Sequence, residues 1–337
     1  MKKENKTVNI PINIGAEGIV TVIETDIRNK GHKKIKQYNL LLDDYLDAVF
    51  TNGAGLFYIE SGTSNGAFAH LYVGTDNTPT SREQMGIVGD TLVTVEKEEI
   101  LSQGEIIEGD VISKARFVVP AGVGTGEVGE LALQSGDSSY SETRNRWVSR
   151  IAFDPKINKS EYIQLDIIWE IRVKYGNSIW TGVLENGQRD GSSVEWTATI
   201  NNEQKQDLFS VVNSIGVLSA ISNLGYLTFN MVVKVGDSNA SSSIETDGKQ
   251  EIKGNLLFEG ESENFVSEWD YNSTAREYSF SIRIGTNEAN GAFAEIMIGA
   301  DRDNSGLMRI TFDPPLDKVD THRVYINPTF TFNLGGA

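Results

Sequence analysis

One hexapeptide occurs twice in this chain. Arg-Ile-Ala-Phe-Asp-Pro occupies residues 150–155, and Arg-Ile-Thr-Phe-Asp-Pro occupies residues 309–314. The match continues downstream at the same offset, where Lys159 meets Lys318, Ile167 meets Ile326 and Gly176 meets Gly335. Upstream, after one short gap, Phe117 meets Ile282, Val119 meets Ile284, Gly126 meets Gly291 and Glu130 meets Glu295. A repeat of this reach predicts two related halves.

The spacing of apolar residues says what each half is made of. Ile163, Leu165, Ile167, Trp169, Ile171 and Val173 share one parity, and Phe330 and Phe332 continue it in the second copy. A period of two is the mark of a strand with one buried face. Each half reads as strand, glycine-containing loop, strand, polar loop, strand, Phe-Asp-Pro corner and final strand. Short strands with regular turn signals predict sandwich-like antiparallel units. Within the hexapeptide the proline is expected at the strand's end, since it cannot donate to a ladder. The aspartate caps the turn, and the arginine faces solvent or pairs with a carboxylate.

The start of each half carries a helical pattern instead. Leu42, Leu46, Val49 and Phe50 fall on one helical face within Asn39–Phe50, with Asn52 and Gly53 as a C-terminal stop. Leu208, Val211, Val212 and Ile215 do the same in the second half, with Gly216 after them. The predicted fold is mainly β (α+β), with two tandem related β-sandwich-like units, each bearing one short N-terminal helix. The expected divisions are an N-terminal arm or extra strand (1–33), a first β-rich unit (34–176), a linker (177–193, with Glu185–Ser193 as loop) and a second unit (194–337). A length of 337 residues suits two domains, each able to bury its own core.

Charge narrows the partners. The net charge of −17 disfavours nucleic acid and anionic lipid. The first forty residues are locally basic, in "MKKENK" and in His32–Lys36, which reads as a solvated tail or as an arm seeking an acidic neighbour. The chain has no cysteine, so disulfides, thiolate-bound zinc and a thiol nucleophile are excluded. No apolar run approaches ~20 residues, and no signal-like segment follows the first lysines. The chain is expected to fold in a cytoplasm.

Candidate chemical motifs are weak. Gly124-x-Gly126-x-x-Gly129 has the letters of a dinucleotide loop, but the alternating residues after it predict a hairpin and not the required helix. Asp301–Gly306 resembles half of a calcium loop, yet the twelfth position is Phe312, so a plain turn is expected. His32, His70 and His322 are scattered. Asp43–Asp44 and Glu96-Lys97-Glu98-Glu99 read as solvated faces. Two acids facing each other across a cleft would be the mark of a glycosidase, and sequence does not show which acids meet. Trp169 shares the core parity of its strand, and Trp180 and Trp196 are expected to seal the junction around the linker. Trp147 and Trp269 complete the five tryptophans from which a sugar platform would have to come. No catalytic, cofactor-binding or metal-binding residue is assigned, and no cofactor is expected.

Val73-Gly74-Thr75, Pro79, Ala121-Gly122, Gly126, Glu130, Arg150, Phe153 and Lys159 resemble a pattern of tailed-bacteriophage virion structural proteins. The resemblance covers about residues 39–175 and recurs in degenerate form over 205–337. It departs at "VKVGDSNASSS", which lacks the proline, and at the long "EKEEILSQGEIIEG" stretch. It implies a non-enzymatic, self-assembling component of the tail, baseplate or fibre, in preference to neck or head decoration. Its partners would be copies of itself and other virion proteins, and its location the virion. A carbohydrate- or receptor-binding module is the alternative. An N-terminal arm that adds a strand to a neighbour's sheet would serve such assembly.

Overall fold

The computed structural model describes residues 4–46, 68–136, 145–188, 190–202, 204–205, 231–240, 252–261, 266–272, 276–300, 305–319 and 321–333. The chain is mainly β, with two antiparallel sheets. It divides into two compact units. The first is built chiefly on Gly15–Lys174. The second is built on Met1–Ile14, Tyr175–Val211 and Tyr226–Asn333.

Strand β1 (Glu4–Asp26) contributes to both units, its first half to the second unit and the remainder to the first. Val8, Ile10, Ile12 and Ile14 are buried, while Asn9, Pro11 and Asn13 between them are exposed. This alternation is that of a sheet with one core face.

In the first unit, β1 turns at Asp26–Gly31 into β2 (His32–Leu41), with Thr25 opposite His32 and Gly18 opposite Asn39. There follow β3 (His70–Gly74), β4 (Thr91–Glu96), β5 (Glu99–Ile107), β6 (Asp110–Val119), β7 (Gly126–Gln134), β8 (Trp147–Lys159) and β9 (Ile163–Tyr175). They pair in two runs, β2-β8-β7-β3-β4 and β5-β6-β9-β1. Phe117, Ile167 and Trp169 are fully buried in the second run, and Leu131, Leu133 and Ile151 are buried in the first.

The second unit contains β10 (Ile179–Leu184), β11 (Val194–Thr199), β12 (Met231–Gly236), β13 (Leu256–Glu261), β14 (Val266–Asn272), β15 (Glu277–Ile284), β16 (Gly291–Ala300), β17 (Ser305–Lys318) and β18 (His322–Asn333). Its runs are β10-β11-β17-β16-β12-β13 and β14-β15-β18-β1. The pairing order β8-β7-β3-β4 therefore has its counterpart in β17-β16-β12-β13, and β5-β6-β9 in β14-β15-β18. Phe293 and Phe312, with ring centroids 5.5 Å apart, fill the core of the first of these runs.

Several expectations are corrected by the pairing. Asn39–Leu41 are strand and not helix, because Leu40 and Leu41 pair with Arg150 and Ser149 of β8. Helix is seen at residues 43–46, with Leu42 and Leu46 buried; Val49, Phe50 and the stop at Asn52–Gly53 lie outside the described residues. The second predicted helix likewise lies almost wholly outside them. Its start is visible as a reciprocal cap, in which the Gln204 amide donates to Asn201 Oδ1 and the Asn201 amide donates to Gln204 Oε1.

Part of the expected linker is strand: Ile179–Leu184 forms β10 and pairs along its length with β11, ahead of the 185–193 stretch read as loop. The N-terminal segment, expected as an arm or extra strand, is strand in its described residues: β1 pairs with β2, β9 and β18. Finally, Pro155 and Pro314 sit inside β8 and β17, not at their ends. The ladder to the neighbouring strand is interrupted there, between Ala152 and Ile157 in one case and between Thr311 and Leu316 in the other. A proline without an N–H is accommodated at such a bulge.

Candidate functional site

The most completely specified polar sites are two buried carboxylate–guanidinium pairs, one in each unit. Glu130 on β7 and Arg150 on β8 are adjacent diagonally, since Glu130 stands opposite Ala152 and Arg150 opposite Ala132. Arg150 Nε donates to Glu130 Oε2 at 2.7 Å, and both side chains are fully buried. In the second unit Arg309 Nε donates to Glu295 Oε2 at 2.8 Å, again in the absence of solvent.

Each pair organises the loop that follows the strand ending in valine-glycine. The Val88 amide donates to Glu130 Oε2 (3.1 Å) and the Gly89 amide to Oε1 (2.8 Å). The Lys253 amide donates to Glu295 Oε2 (3.2 Å) and the Gly254 amide to Oε1 (2.7 Å). From the other side, Arg150 Nη1 donates to the Thr78 carbonyl (2.9 Å) and Arg309 Nη1 to the Ala240 carbonyl (2.7 Å). Arg150 Nη1 also reaches Gln84 Oε1 at 3.0 Å. The carboxylate thus fixes the end of the loop and the guanidinium its beginning. A buried charge survives when it is paired and its remaining hydrogen-bonding positions are filled, and both conditions are met twice.

Two glycines make the carboxylate's approach possible. A Cβ at Gly74 would stand 2.6 Å from Glu130 Oε1, and one at Gly236 would stand 2.5 Å from Glu295 Oε1. Short side chains then close the loop starts. The Thr78 amide donates to Asp76 Oδ1, and the Ala240 amide donates to Ser238 Oγ. The Thr78 hydroxyl and amide beside Asp76 hold its carboxyl below the usual carboxylate range, and Arg150 adds to this. The side chain and amide of Asn255 do the same for Asp237.

A second pair of buried cations accompanies the first. Lys159 Nζ donates to the Pro120 carbonyl at 2.8 Å, and Lys318 Nζ to Asn290 Oδ1 at 3.0 Å. Both lysines are nearly free of solvent. Burial holds the Lys159 ammonium below the usual lysine range. The lysine of each repeat therefore ties the β8 or β17 terminus to the hairpin that precedes β7 or β16. Chemically these groups are anchors: the carboxylates and guanidiniums bind each other and the loops, and the lysines bind a backbone carbonyl or a loop side chain.

The other candidates fall elsewhere. Gly124 and Gly126 stand at the β6–β7 hairpin, and Gly126 opens a strand, as the alternation predicts. Asp301–Asn304 lie outside the described residues. His70 is on β3, His322 opens β18, and His32 Nδ1 lies 3.0 Å from Thr25 Oγ1 on the β1–β2 hairpin. Among the described residues no group of three His, Asp or Glu side chains is placed to hold a metal ion. Asp44 is not a solvated face: its carboxylate accepts from Arg146 Nη1 (2.9 Å) and from the Trp147 amide (2.8 Å). Trp169 is buried in its strand, as expected from its parity, and Trp180 and Trp196 are buried on the β10–β11 hairpin. Trp147 packs edge-on to Tyr72 with ring centroids 4.8 Å apart.

The repeat alignment had already matched Glu130 with Glu295, Arg150 with Arg309 and Lys159 with Lys318. What it did not show is that the glutamate and the arginine meet. The signal available for this was the recurrence of both charges at positions where alternation places them beside apolar strand residues. No family model matches the chain, and neither a curated protein nor a solved structure matches it.

Proposed function

We propose that this chain is a non-enzymatic structural component of a phage virion, in the tail, baseplate or fibre region, built as two tandem related β-sandwich-like units that assemble with further copies and with other virion proteins. One observation carries the reading. The same buried Glu–Arg anchor, with the same glycine beside it and the same two backbone amides on its carboxylate, is used in both units to fix the same loop. Buried charge used to rigidify a loop twice suits a protein whose surface must present a fixed shape at two places. Duplicated surfaces are what symmetric and pseudo-symmetric assembly uses. The resemblance of residues 39–175 to virion proteins gives the class of assembly.

The carbohydrate-binding alternative depends on exposed tryptophans. Trp169, Trp180 and Trp196 are buried in packing and Trp147 lies against Tyr72, so these four lend it no support. Neck or head decoration remains the runner-up within the virion reading. Light scattering of the purified chain over a concentration series tests self-assembly: a discrete oligomer is expected, and a single-chain mass at every concentration overturns it. An antibody to the chain is expected to label intact phage particles from the source culture. Purified particles free of label and of the chain itself would overturn the virion location.

A further inference from the structure

The protein's charge is unevenly placed on its first unit. On a chain of net charge −17, strand β2 presents His32, Lys34, Lys36 and Tyr38 along one parity, all exposed, and Tyr38 is 63% accessible. Lys33, of the other parity, is paired with Glu24 at 3.1 Å. Lys34 and Lys36 have no ion-pair partner among the described residues. Among the described residues β2 pairs with β8 at Leu40 and Leu41, the Gln37 side chain donates to the Ala152 carbonyl of β8, and the backbone edge beside Lys34 and Lys36 has no ladder partner other than β1. An open strand edge bearing lysines and an exposed aromatic is a surface with both a charge and an apolar contact to offer.

The complementary surface lies on the same unit. Among the described residues β5 is an edge strand that pairs only with β6. Its exposed parity reads Glu99, Leu101, Gln103, Glu105 and Ile107, with Leu101 40% and Ile107 37% accessible. Glu96 and Glu98 extend the acidic row at the corner before it, and both are exposed. Glu99 is 3.9 Å from Arg116, a loose contact that leaves its side chain 56% accessible. In each row a charge precedes an apolar group by two residues: Lys36 before Tyr38, and Glu99 before Leu101. Two strand residues span ~6.6 Å, so the two rows carry opposite charge and apolar contact at one spacing.

We infer that the occupant of the β2 row is the β5 row of a second copy of this chain. Lys34 and Lys36 meet Glu98 and Glu99, and Tyr38 packs on Leu101. The contact joins different surfaces of the two copies, so it runs head to tail and propagates into a ring or a filament. The inference rests on the self-assembly reading and specifies the surface that carries it. Bulges in β5, between Ile100 and Ser102 and between Ser102 and Glu105, limit continuous backbone pairing and leave side-chain complementarity to set the register.

The test is the mass of the full chain by sedimentation and light scattering, with circular dichroism melts as the control for folding. Association is expected in about 0.05 M salt and is expected to weaken near 1 M, where the Debye length is about 3 Å. The variants K34E/K36E and E98K/E99K should each raise the dissociation constant about tenfold or more, and combining all four substitutions should restore it toward the wild-type value. The variant Y38A should weaken association without altering net charge. A wild type that associates while all these variants associate equally well overturns this surface and leaves self-assembly standing. A wild type that is a single chain throughout overturns both. Monomers that instead bind dextran sulfate or polyphosphate through Lys34 and Lys36 would assign the basic row to an anionic polymer and overturn the inference.

Discussion

Glu130 Oε2 lies 2.7 Å from Arg150 Nε, and solvent reaches neither side chain. The same relationship holds between Glu295 and Arg309 at 2.8 Å. Each carboxylate also accepts loop amides, from Asp76, Val88 and Gly89 in one case and from Lys253 and Gly254 in the other, so the pair links a sheet to a loop in addition to neutralising charge.

Removing one partner should therefore cost more than a surface ion pair would. Glu130→Gln keeps the shape of the side chain but leaves Arg150 without its counter-charge and turns an N–H toward groups that are themselves donors. A loss of about 3–5 kcal/mol is expected. Urea unfolding gives the magnitude, and amide hydrogen exchange gives the place: Val88 and Gly89 should lose protection while Val233 and Val235 keep theirs. Glu295→Gln should shift exchange at Lys253 and Gly254 instead. Unchanged protection at Val88 and Gly89 would count against the anchoring role.

Gly74 and Gly236 should tolerate no side chain. A methyl group at either meets a carboxylate oxygen at 2.6 or 2.5 Å, and that carboxylate is held by other bonds. Gly74→Ala and Gly236→Ala are each expected to destabilise by about 1–3 kcal/mol. Gly176→Ala is the control, because its nearest neighbour would be 3.6 Å away, and it should stay within about 0.5 kcal/mol of wild type. Thermal melts of the three variants separate these outcomes.

Lys159 has a pH signature. Burial lowers its folded pKa below the ordinary value of 10.5, so the native state binds fewer protons than the unfolded state between those two values. Stability linked to this group rises with pH through that window. Comparing wild type with Lys159→Met by urea titration at several pH values up to 10.5 should show a rise in the wild type that the variant lacks. Parallel profiles would remove the lysine as the cause.

At the β1–β2 turn, Arg28 acts on Asp26 first through its side-chain hydrogen bond and then through its amide, bringing the carboxyl pKa down to about 2. A depressed carboxyl contributes stability above its unfolded pKa and loses it as the pH falls through its folded one, so this turn should keep its ion pair down to about pH 2. A carboxyl-detected NMR titration should place the Asp26 midpoint near 2 and that of Arg28→Ala closer to 3.8. A wild-type midpoint at 3.8 would contradict the geometry.

Much of the β architecture was legible from parity alone. Trp169 and its neighbours on β9 alternate in the sequence and alternate in burial. The hexapeptide pointed to two matching strands, and β8 and β17 are those strands. Where the reading failed, a partner distant in the chain decided. Leu40 and Leu41 fell within the predicted helix Asn39–Phe50, and their pairing with Arg150 and Ser149 makes them strand. Ile179–Leu184 looked like linker until Val194–Thr199 folded back on it. Pro155 read as a strand end because a sequence does not show a ladder resuming at Ile157. The anchors were half legible: the repeat flagged each charge, but among 47 acidic residues nothing local says which one meets Arg150.

The sharing of β1 between the two units has a consequence for how the protein is made. Asn9, near the start of the chain, receives a hydrogen bond from Asn327 on β18, 318 positions later. The first half of β1 belongs to a unit whose strand β18 is made some three hundred residues later, while its second half can pair with β2 almost at once. One end of the strand is in place early, and the other must wait, with its isoleucines uncovered, until β18 has been made. A fragment of residues 177–337 made separately would lack that strand altogether, and residues 1–176 would carry half a strand with nowhere to go.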